Sequence, residues 1–173
     1  CQTLAVSGGW NPVVHLHAQS GGRPRFDSER TCFVPGKPHQ AERGIGGANG
    51  TFDLGECLRE GAVGGLAAAV EIGIKGDGTV DIPYVESFSQ EGLRPLWVVP
   101  DGQAKGRAGK KFVDYQNDTT VSDILLAARE GYRSVEHVKR YTALGFGTDQ
   151  GKLGNINGMA ILADALGQTI PET

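Results

Sequence analysis

Glycines divide the last third of the chain into apolar segments, and this pattern constrains the fold more than any other feature of the sequence. Along the first two segments the apolar residues recur at the spacing of one helix face. The segments are bounded by residues typical of helix termini: Asp118, Thr119 or Thr120 before the first, Gly145 after the second, and Gly167 with Pro171 after the third. The sequence therefore predicts three helices packed as a small bundle.

A second glycine-rich stretch, Gly44 to Gly50, runs into another helical segment. Its apolar residues repeat at spacings of 3 and 4, and Asp53 precedes it as an N-cap or first-turn acid. Free N-H groups at a helix start, after a turn with little side-chain bulk, suit a phosphate or a ribose. The same glycines also suit tight packing of a helix on a strand. The turn is not a complete GxGxxG or Walker motif, so both interpretations stay open.

The first 40 residues predict short strands. Leu4 to Val6 is a short apolar strand, and "RFDSERTCFVPG" indicates a hairpin or paired strands. His15 and His17 alternate along a predicted strand, which places both on one face. Such a pair is half of a metal site, but no third ligand accompanies it, and ligation is the less favoured interpretation.

From Gly73 to Lys110 the helical periodicity fades, and we expect a connector between domains. Within it, "KGDGTVDIP" places Asp77 and Asp81 at a spacing similar to that of a calcium loop. The acid that ends a twelve-residue loop is missing, so a turn is favoured.

Composition narrows the function classes. A chain of 173 residues with 39% hydrophobic content can form one domain or two small ones. Its net charge of -3, with both signs interspersed, gives no reason to expect nucleic acid or an anionic membrane as partner. No apolar stretch approaches the roughly 20 residues of a membrane span, and the first residues lack the charged region and apolar core typical of a signal peptide, so we expect a cytoplasmic location.

No catalytic residue and no metal site is predicted. The cysteines Cys1, Cys32 and Cys57 are widely separated and are interpreted as free thiols. Nothing in the sequence resembles a nucleophile with its base or a closed metal site. Because the chain starts at Cys1 with a strand already under way, we expect it to be a piece of a longer polypeptide.

The segment "FVDYQNDTTVSDILLAAREGYRSVEHVKRYTALGFGTDQGKLGNINGMAILADALGQTIPE", residues 112–172, resembles the alpha subunit of heterotetrameric sarcosine oxidase. "LAVSGGWNP" and "GANGTFDLGECLREG" resemble the same subunit. The resemblance implies an α+β fold: residues 1–75 end a glutathione-reductase-like dinucleotide-binding domain, 76–110 connect, and 111–173 form a small three-helix domain. A folate-binding domain would follow outside this chain.

The helical part is similar to the bacterioferritin-associated-ferredoxin type, in which four cysteines hold a [2Fe-2S] cluster. The resemblance places Asp114, Gln116, Asp149 and Gly154 at the cysteine positions. None is a thiolate, so we expect no cluster and no metal. We expect hydrogen bonds of Asp149, Lys152 and neighbouring amides to hold the loop instead.

The resemblance also implies a function for the complete complex: oxidation of sarcosine by oxygen to glycine, hydrogen peroxide and formaldehyde or 5,10-methylene-tetrahydrofolate. NAD would bind the alpha subunit, FMN the interface with the beta subunit, and FAD the beta subunit itself. The partners would be the beta, gamma and delta subunits. The resemblance places the NAD site at Gly46, Gly47, Ala48, Phe52 and Leu54.

This chain by itself is expected to be inactive, because it lacks the amino-terminal glycine-rich fingerprint and the folate domain. Two alternatives stay open. One is the alpha subunit of a related amine or proline dehydrogenase. The other is a non-catalytic module that docks subunits.

Overall fold

The computed structural model describes residues 2, 10–74, 78–86, 92–100 and 109–173. The predicted strand at residues 4–6 and position 77 of the predicted turn lie outside these ranges. By its contacts the chain divides into two compact units, residues 1–93 and 94–173. The α+β class is confirmed, since the described residues form α-helices and antiparallel two-stranded sheets. The boundaries at 75 and 110 stay predictions.

The predicted hairpin of the first unit is confirmed. Strand β1, Arg25–Asp27, pairs antiparallel with β2, Cys32–Val34, and Phe26 lies opposite Phe33. The two rings meet edge to face with their centroids 5.3 Å apart. Such aromatic cross-strand contacts stabilise a short ribbon that has few ladder hydrogen bonds.

The predicted strand that carries the two histidines is wrong, because these residues form helix α1, His15–Gln19. Positions two apart in a helix differ by about 200° around the axis, so His15 and His17 face different surroundings. The buried imidazole of His17 bonds through Nδ1 to Glu42 Oε1 at 2.6 Å. Its Nε2 accepts the N-H of Gly36 at 3.1 Å. His17 therefore has a structural role and is not half of a metal site with its neighbour.

Helix α2, Leu54–Glu71, confirms the predicted helix after the glycine-rich turn. The side chain of Asp53 caps it by accepting the N-H of Glu56, as its position predicted. None of the 18 residues of α2 is buried. Val63 and Val70 are exposed over more than half of their surface, so α2 contributes little to a core within this unit.

The second unit contains the three predicted helices and a small sheet that the sequence did not indicate. The elements are β3 Phe112–Asp114, β4 Thr119–Thr120, α3 Val121–Arg129, α4 Val135–Thr142 and α5 Asn155–Leu166. β3 and β4 pair antiparallel. Strands of this length are too short for an alternating pattern to be recognised.

The helix termini follow the predictions in two places and differ in one. Thr120 caps α3 through a capping box with Asp123, and Gly167 ends α5 in the left-handed conformation at φ 66°. The prediction that Gly145 ends α4 is wrong, because Ala143 takes the left-handed conformation first, at φ 59°. This earlier end allows Leu144 to enter the core.

The core of the second unit joins all three helices and β3. Its buried members are Val113, Ile124, Ala127, Val138, Leu144, Ile161 and Leu162. Gly158 lets α5 approach the core closely, since a Cβ there would lie 2.4 Å from Leu144 Cδ2. Trp97 and Val98 of the expected connector also pack against this core. The predicted bundle is confirmed.

No helix within the described ranges is long and apolar enough to cross a membrane. Cys32 and Cys57 are free thiols, as predicted, and position 1 lies outside the described residues. Burial raises the pKa of the Cys32 thiol, which keeps it protonated.

Candidate functional site

The glycine-rich stretch folds into a short 3-10 helix, Gly46–Asn49, that ends at Gly50. Gly50 has a φ of 84°, in the left-handed region that favours glycine. A Cβ at this position would lie 2.7 Å from Val34 Cγ1. The last glycine of the stretch is therefore required for packing against the hairpin.

A carboxylate from α2 holds the beginning of this turn. Glu60 Oε2 accepts the N-H of Gly46 at 2.7 Å, and Oε1 accepts the hydroxyl of Thr51 at 2.5 Å. The hydrogen bond from Thr51 is the main cause that lowers the pKa of Glu60, with further lowering by Gly46 and Asn49 against the opposing effect of burial. Glu60 is therefore ionised at neutral pH and places a negative charge beside the turn.

The residues predicted to contact NAD form one continuous stretch. Gly46, Gly47 and Ala48 lie in the 3-10 helix, Phe52 follows it, and Leu54 is the first residue of α2. Gly47 is exposed, and nothing lies within 4 Å of the position that its Cβ would take. A ligand can therefore approach the backbone here, while NAD binding itself stays a prediction.

A cleft of about 550 Å³ lies between this turn and one face of α2. Its volume is within the range of ligand pockets. The residues that line it flank the predicted ones and do not include them: Arg43, Gly44, Ile45, Asn49, Glu56, Arg59, Glu60, Val63 and Gly64. The cleft thus combines apolar side chains with charges of both signs.

Both arginines of this cleft pair with carboxylates at the surface. Arg43 Nη2 lies 3.1 Å from Glu71 Oε1, and Arg59 Nη1 contacts Glu56 Oε2. All four side chains are exposed over more than half of their surface. Exposed pairs of this kind contribute little to stability, so either guanidinium can exchange its carboxylate for an anionic ligand at small cost.

A second cleft, of about 500 Å³, lies along another face of α2. It is lined mostly by apolar and small side chains, among them Leu58, Leu66, Val80 and Ile82. Its one acid, Asp81, belongs to the expected calcium-like turn and is exposed. Within the described ranges no group of three or more His, Cys, Asp or Glu side chains could hold a metal ion.

The loop after α4 is tied to the turn between β3 and β4 by Asp114. This buried carboxylate accepts the N-H of Gly145 at 2.8 Å through Oδ2. Through Oδ1 it accepts the N-H groups of Gln116 and Asn117 at 2.8 and 3.1 Å. Burial, the largest single effect, opposes ionisation, but the hydrogen bonds from Gly145, Asn117 and Gln116 together lower the pKa of Asp114. A charged acceptor of this kind is a strong connection.

Gln116 forms a second connection to the same loop. Its Oε1 accepts the backbone N-H and the hydroxyl of Thr148 at 2.5 and 2.7 Å. Gly147 is needed beside it, since a Cβ there would lie 2.4 Å from Gln116 Oε1.

Within the loop, Asp149 accepts the N-H groups of Gly151 and Leu153 at 3.3 and 3.4 Å. The expectation that hydrogen bonds of Asp149 hold the loop is confirmed. Lys152 contributes its backbone N-H, which donates to the Asp149 carbonyl at 3.2 Å. Gly154 lies against β3, because a Cβ there would be 2.8 Å from the Val113 carbonyl oxygen.

The side chain of Asn155 fills the inside of this loop. A Cβ added to Gly145 or Gly151 would lie 2.2 Å or less from an atom of the Asn155 amide. Asn155 Oδ1 is buried and has no hydrogen-bond partner among the described residues. The loop therefore encloses a side chain of its own.

Residues 108–173 match the sarcosine oxidase A3 domain family. The chain is also 41% identical over 167 residues to the sarcosine oxidase subunit alpha of Rhizobium meliloti (strain 1021). It is 39% identical over 166 residues to the subunit of the same name from Corynebacterium sp. (strain P-1), and 38% to that of strain U-96. The resemblance to sarcosine oxidase alpha subunits is confirmed.

Each of these matches covers 95% of this chain but 16 or 17% of the relative. The chain thus corresponds to about a sixth of a sarcosine oxidase alpha subunit. The four positions that the ferredoxin-type resemblance compares with cysteines lie in the part that matches the A3 domain. These residues do not fit an iron-sulfur cluster. Asp114 and Gln116 already accept hydrogen bonds from the loop after α4, and Asp149 accepts hydrogen bonds within that loop. Gly154 has no side chain that could bind iron.

The sequence reasoning missed Glu60 and Asn155. Glu60 lies in the middle of α2, where an acid usually belongs to a solvated face, and it reaches back 14 residues to Gly46. Asn155 is the first residue of α5, where a polar side chain is common. The only trace of these two residues in the sequence is the glycine that each one contacts. Glu60 contacts Gly46, and Asn155 contacts Gly151.

Proposed function

We propose that this chain is part of the alpha subunit of a sarcosine oxidase complex. The complete complex would oxidise sarcosine with oxygen to glycine, hydrogen peroxide and formaldehyde, or pass the one-carbon unit to tetrahydrofolate. The observation that carries this proposal is the identity of 38 to 41% to subunits of that name along 95% of the chain.

Within that complex, the first unit would contribute part of an NAD site at Gly46, Gly47, Ala48, Phe52 and Leu54. The open space beside Gly47 supports this proposal, because a dinucleotide has to approach backbone closely. The neighbouring cleft supports it further, since it supplies the polar and apolar groups that a nucleotide needs. The first unit would be the end of a glutathione-reductase-like domain.

The second unit would act as a scaffold without an iron-sulfur cluster. The hydrogen bonds that the side chains of Asp114 and Gln116 accept support this role, because they fix the loop that an iron-sulfur cluster would otherwise organise. The unit would help to house FMN at the interface with the beta subunit, which carries FAD. The beta, gamma and delta subunits are the proposed partners, in the cytoplasm.

A docking role without any cofactor is the second candidate. The observation that favours it is the exposure of large apolar side chains on α2, where Leu54, Val63 and Val70 are each at least 60% exposed. Helices of this kind are covered by another surface in a complete protein. A related amine or proline dehydrogenase is the alternative enzyme.

The test uses the complete subunit that contains this chain, purified together with its partner subunits. We expect sarcosine to drive oxygen uptake with formation of hydrogen peroxide, and we expect bound NAD, FMN and FAD without iron. Oxidation of proline by an acceptor other than oxygen would favour the dehydrogenase. An assembled complex that contains no NAD, with unchanged assembly after substitution of Gly47, would favour docking alone.

A further inference from the structure

We propose that α2 is an interior helix of the alpha subunit, and that residues of the same polypeptide outside this chain cover its glycine face, which consists of Gly61, Gly65 and Ala69. This inference rests on the proposed function only in taking the chain as part of an alpha subunit. It assigns to the subunit itself the cover that the docking candidate assigns to a partner subunit. The covering surface is apolar and uncharged, and it comes close to the helix backbone.

The glycine face forms one row along the helix, because its three residues are four positions apart. All three line the cleft of about 500 Å³. Apart from the helix backbone itself, the described residues place nothing within 4 Å of a Cβ at Gly61 or Gly65. The face is therefore open in this chain, and its lack of side chains lets a neighbouring surface approach the backbone closely.

The composition of α2 indicates an interior position. The ten residues 61–70, GAVGGLAAAV, include no polar or charged side chain over about three turns. A helix that is apolar on all sides belongs to the core of a large domain, whereas a surface helix keeps a polar side. Yet none of the residues of α2 is buried here, and Val70 is 71% exposed. This part of α2 therefore needs cover on several sides, and a single docking surface covers only one.

The alpha subunits that match this chain contain enough further polypeptide for such cover. The matches extend over 95% of this chain but only 16 or 17% of each relative, so about five sixths of an alpha subunit lies outside it. The wall of the cleft opposite the helix, residues 80–83, belongs to the same polypeptide as α2 and is mostly apolar. Further cover by the alpha subunit would extend this contact. A subunit interface would instead need a polar rim, which residues 61–70 do not provide.

The first measurement is the midpoint of thermal unfolding of the complete complex. We expect Gly65→Leu to lower it by about 5 °C, because the new side chain meets the covering residues. On an exposed helix face the same change would raise the midpoint, since leucine favours a helix more than glycine does. Ala165→Leu, at an exposed position on α5, is the matched control and should leave the midpoint unchanged. If the leucine variant does not assemble, Gly65→Ala replaces it, and its midpoint should fall as well.

The second measurement identifies the covering residues in the assembled complex. A photoreactive diazirine side chain takes the place of Leu66, which lines the same cleft, and mass spectrometry identifies the peptides that it cross-links. We expect a peptide of the alpha subunit from outside residues 1–173.

The outcomes separate this inference from the proposed function. A midpoint that is unchanged or raised by the substitutions of Gly65 would show that the glycine face stays open, and would overturn the inference. Cross-links confined to this chain, or formed with the beta, gamma or delta subunit, would also overturn it. A wild-type complex that assembles but takes up no oxygen with sarcosine would refute the proposed function, while the unfolding and cross-linking results would still decide what covers α2.

Discussion

Both glycine-rich loops, residues 44–54 and 145–154, are held by a distant side chain that accepts hydrogen bonds from their backbone. In the first loop Glu60 binds Gly46, and in the second Asp114 binds Gly145. The first loop borders a cleft and has open space beside Gly47. The second is filled by the amide of Asn155. A glycine in a loop thus leaves space beside the backbone. In the first loop this space is open to a ligand, and in the second it is filled by a side chain of the same chain.

The difference predicts what each loop tolerates. The filled loop depends on its internal acceptors and should lose stability when one is removed. The open loop should lose ligand affinity when its space is filled, with little change in stability. The following substitutions, made in the complete complex, separate these two behaviours.

Asp114→Ala should have the largest effect. It leaves the N-H groups of Gly145, Gln116 and Asn117 without their acceptor in a buried place, which costs about 3 kcal/mol. Chemical denaturation followed by a signal from the helical unit measures the change. Asp164→Ala, at an exposed position on α5, is the control and should be neutral. Equal stability of the two variants would show that Asp114 does not hold the loop.

Gly47→Val should come next, and it should act on binding. A Cβ at this position meets nothing within 4 Å, so thermal stability should stay unchanged, whereas NAD affinity should fall at least tenfold, about 1.4 kcal/mol. Isothermal titration measures the affinity. Gly92→Val, at another exposed glycine with open space, serves as control. If NAD binds the Gly47 variant as well as the control, the open loop is not part of the site.

Asn155→Ala should cost less, within about 1 kcal/mol. Its Oδ1 has no partner among the described residues, so the substitution removes a buried polar atom without breaking a hydrogen bond to it. The lost contacts with Gly145 and Gly151 account for the remaining cost. A destabilisation as large as that of Asp114→Ala would mean that the Asn155 amide, and not the carboxylate, holds the loop.

The smallest effect is expected from pH. The folded pKa of Asp114 lies below its ordinary value of 3.8, so its ionised form stabilises the fold. This contribution is fully present above 3.8 and is lost as pH falls through the lowered pKa. The difference in unfolding free energy between the wild type and Asp114→Asn should therefore be constant near pH 6 and shrink in stronger acid. A difference that does not change with pH would contradict an ionised Asp114.

Much of the fold follows from local sequence, because the features concerned act over a few residues. Asp53 and Thr120 cap the beginning of their helices and Gly167 ends its helix, as their residue types and positions predicted. The hairpin and the bundle also follow from short-range pattern. The left-handed Ala143 does not, since the burial of Leu144 and the bond from Gly145 to Asp114 decide that conformation.

The site was less predictable, because its connections join residues far apart in sequence. The sequence placed His17 on one face of a strand with His15, yet its partners Gly36 and Glu42 lie 19 and 25 residues away. The bond from Gly46 to Glu60 spans 14 residues, and no periodicity reports it. The glycine-rich turns could therefore be predicted from the sequence, but the side chains that contact them could be identified only from the structure.

The central claim is that the first glycine-rich loop contacts a nucleotide and the second contacts only its own chain. A high-resolution density map of the complete sarcosine oxidase-type complex, examined at both loops, tests it most directly. We expect density for NAD beside Gly47, and the Asn155 amide alone inside the second loop. An iron-sulfur cluster bound at the second loop, or NAD bound away from the first loop, would contradict this claim.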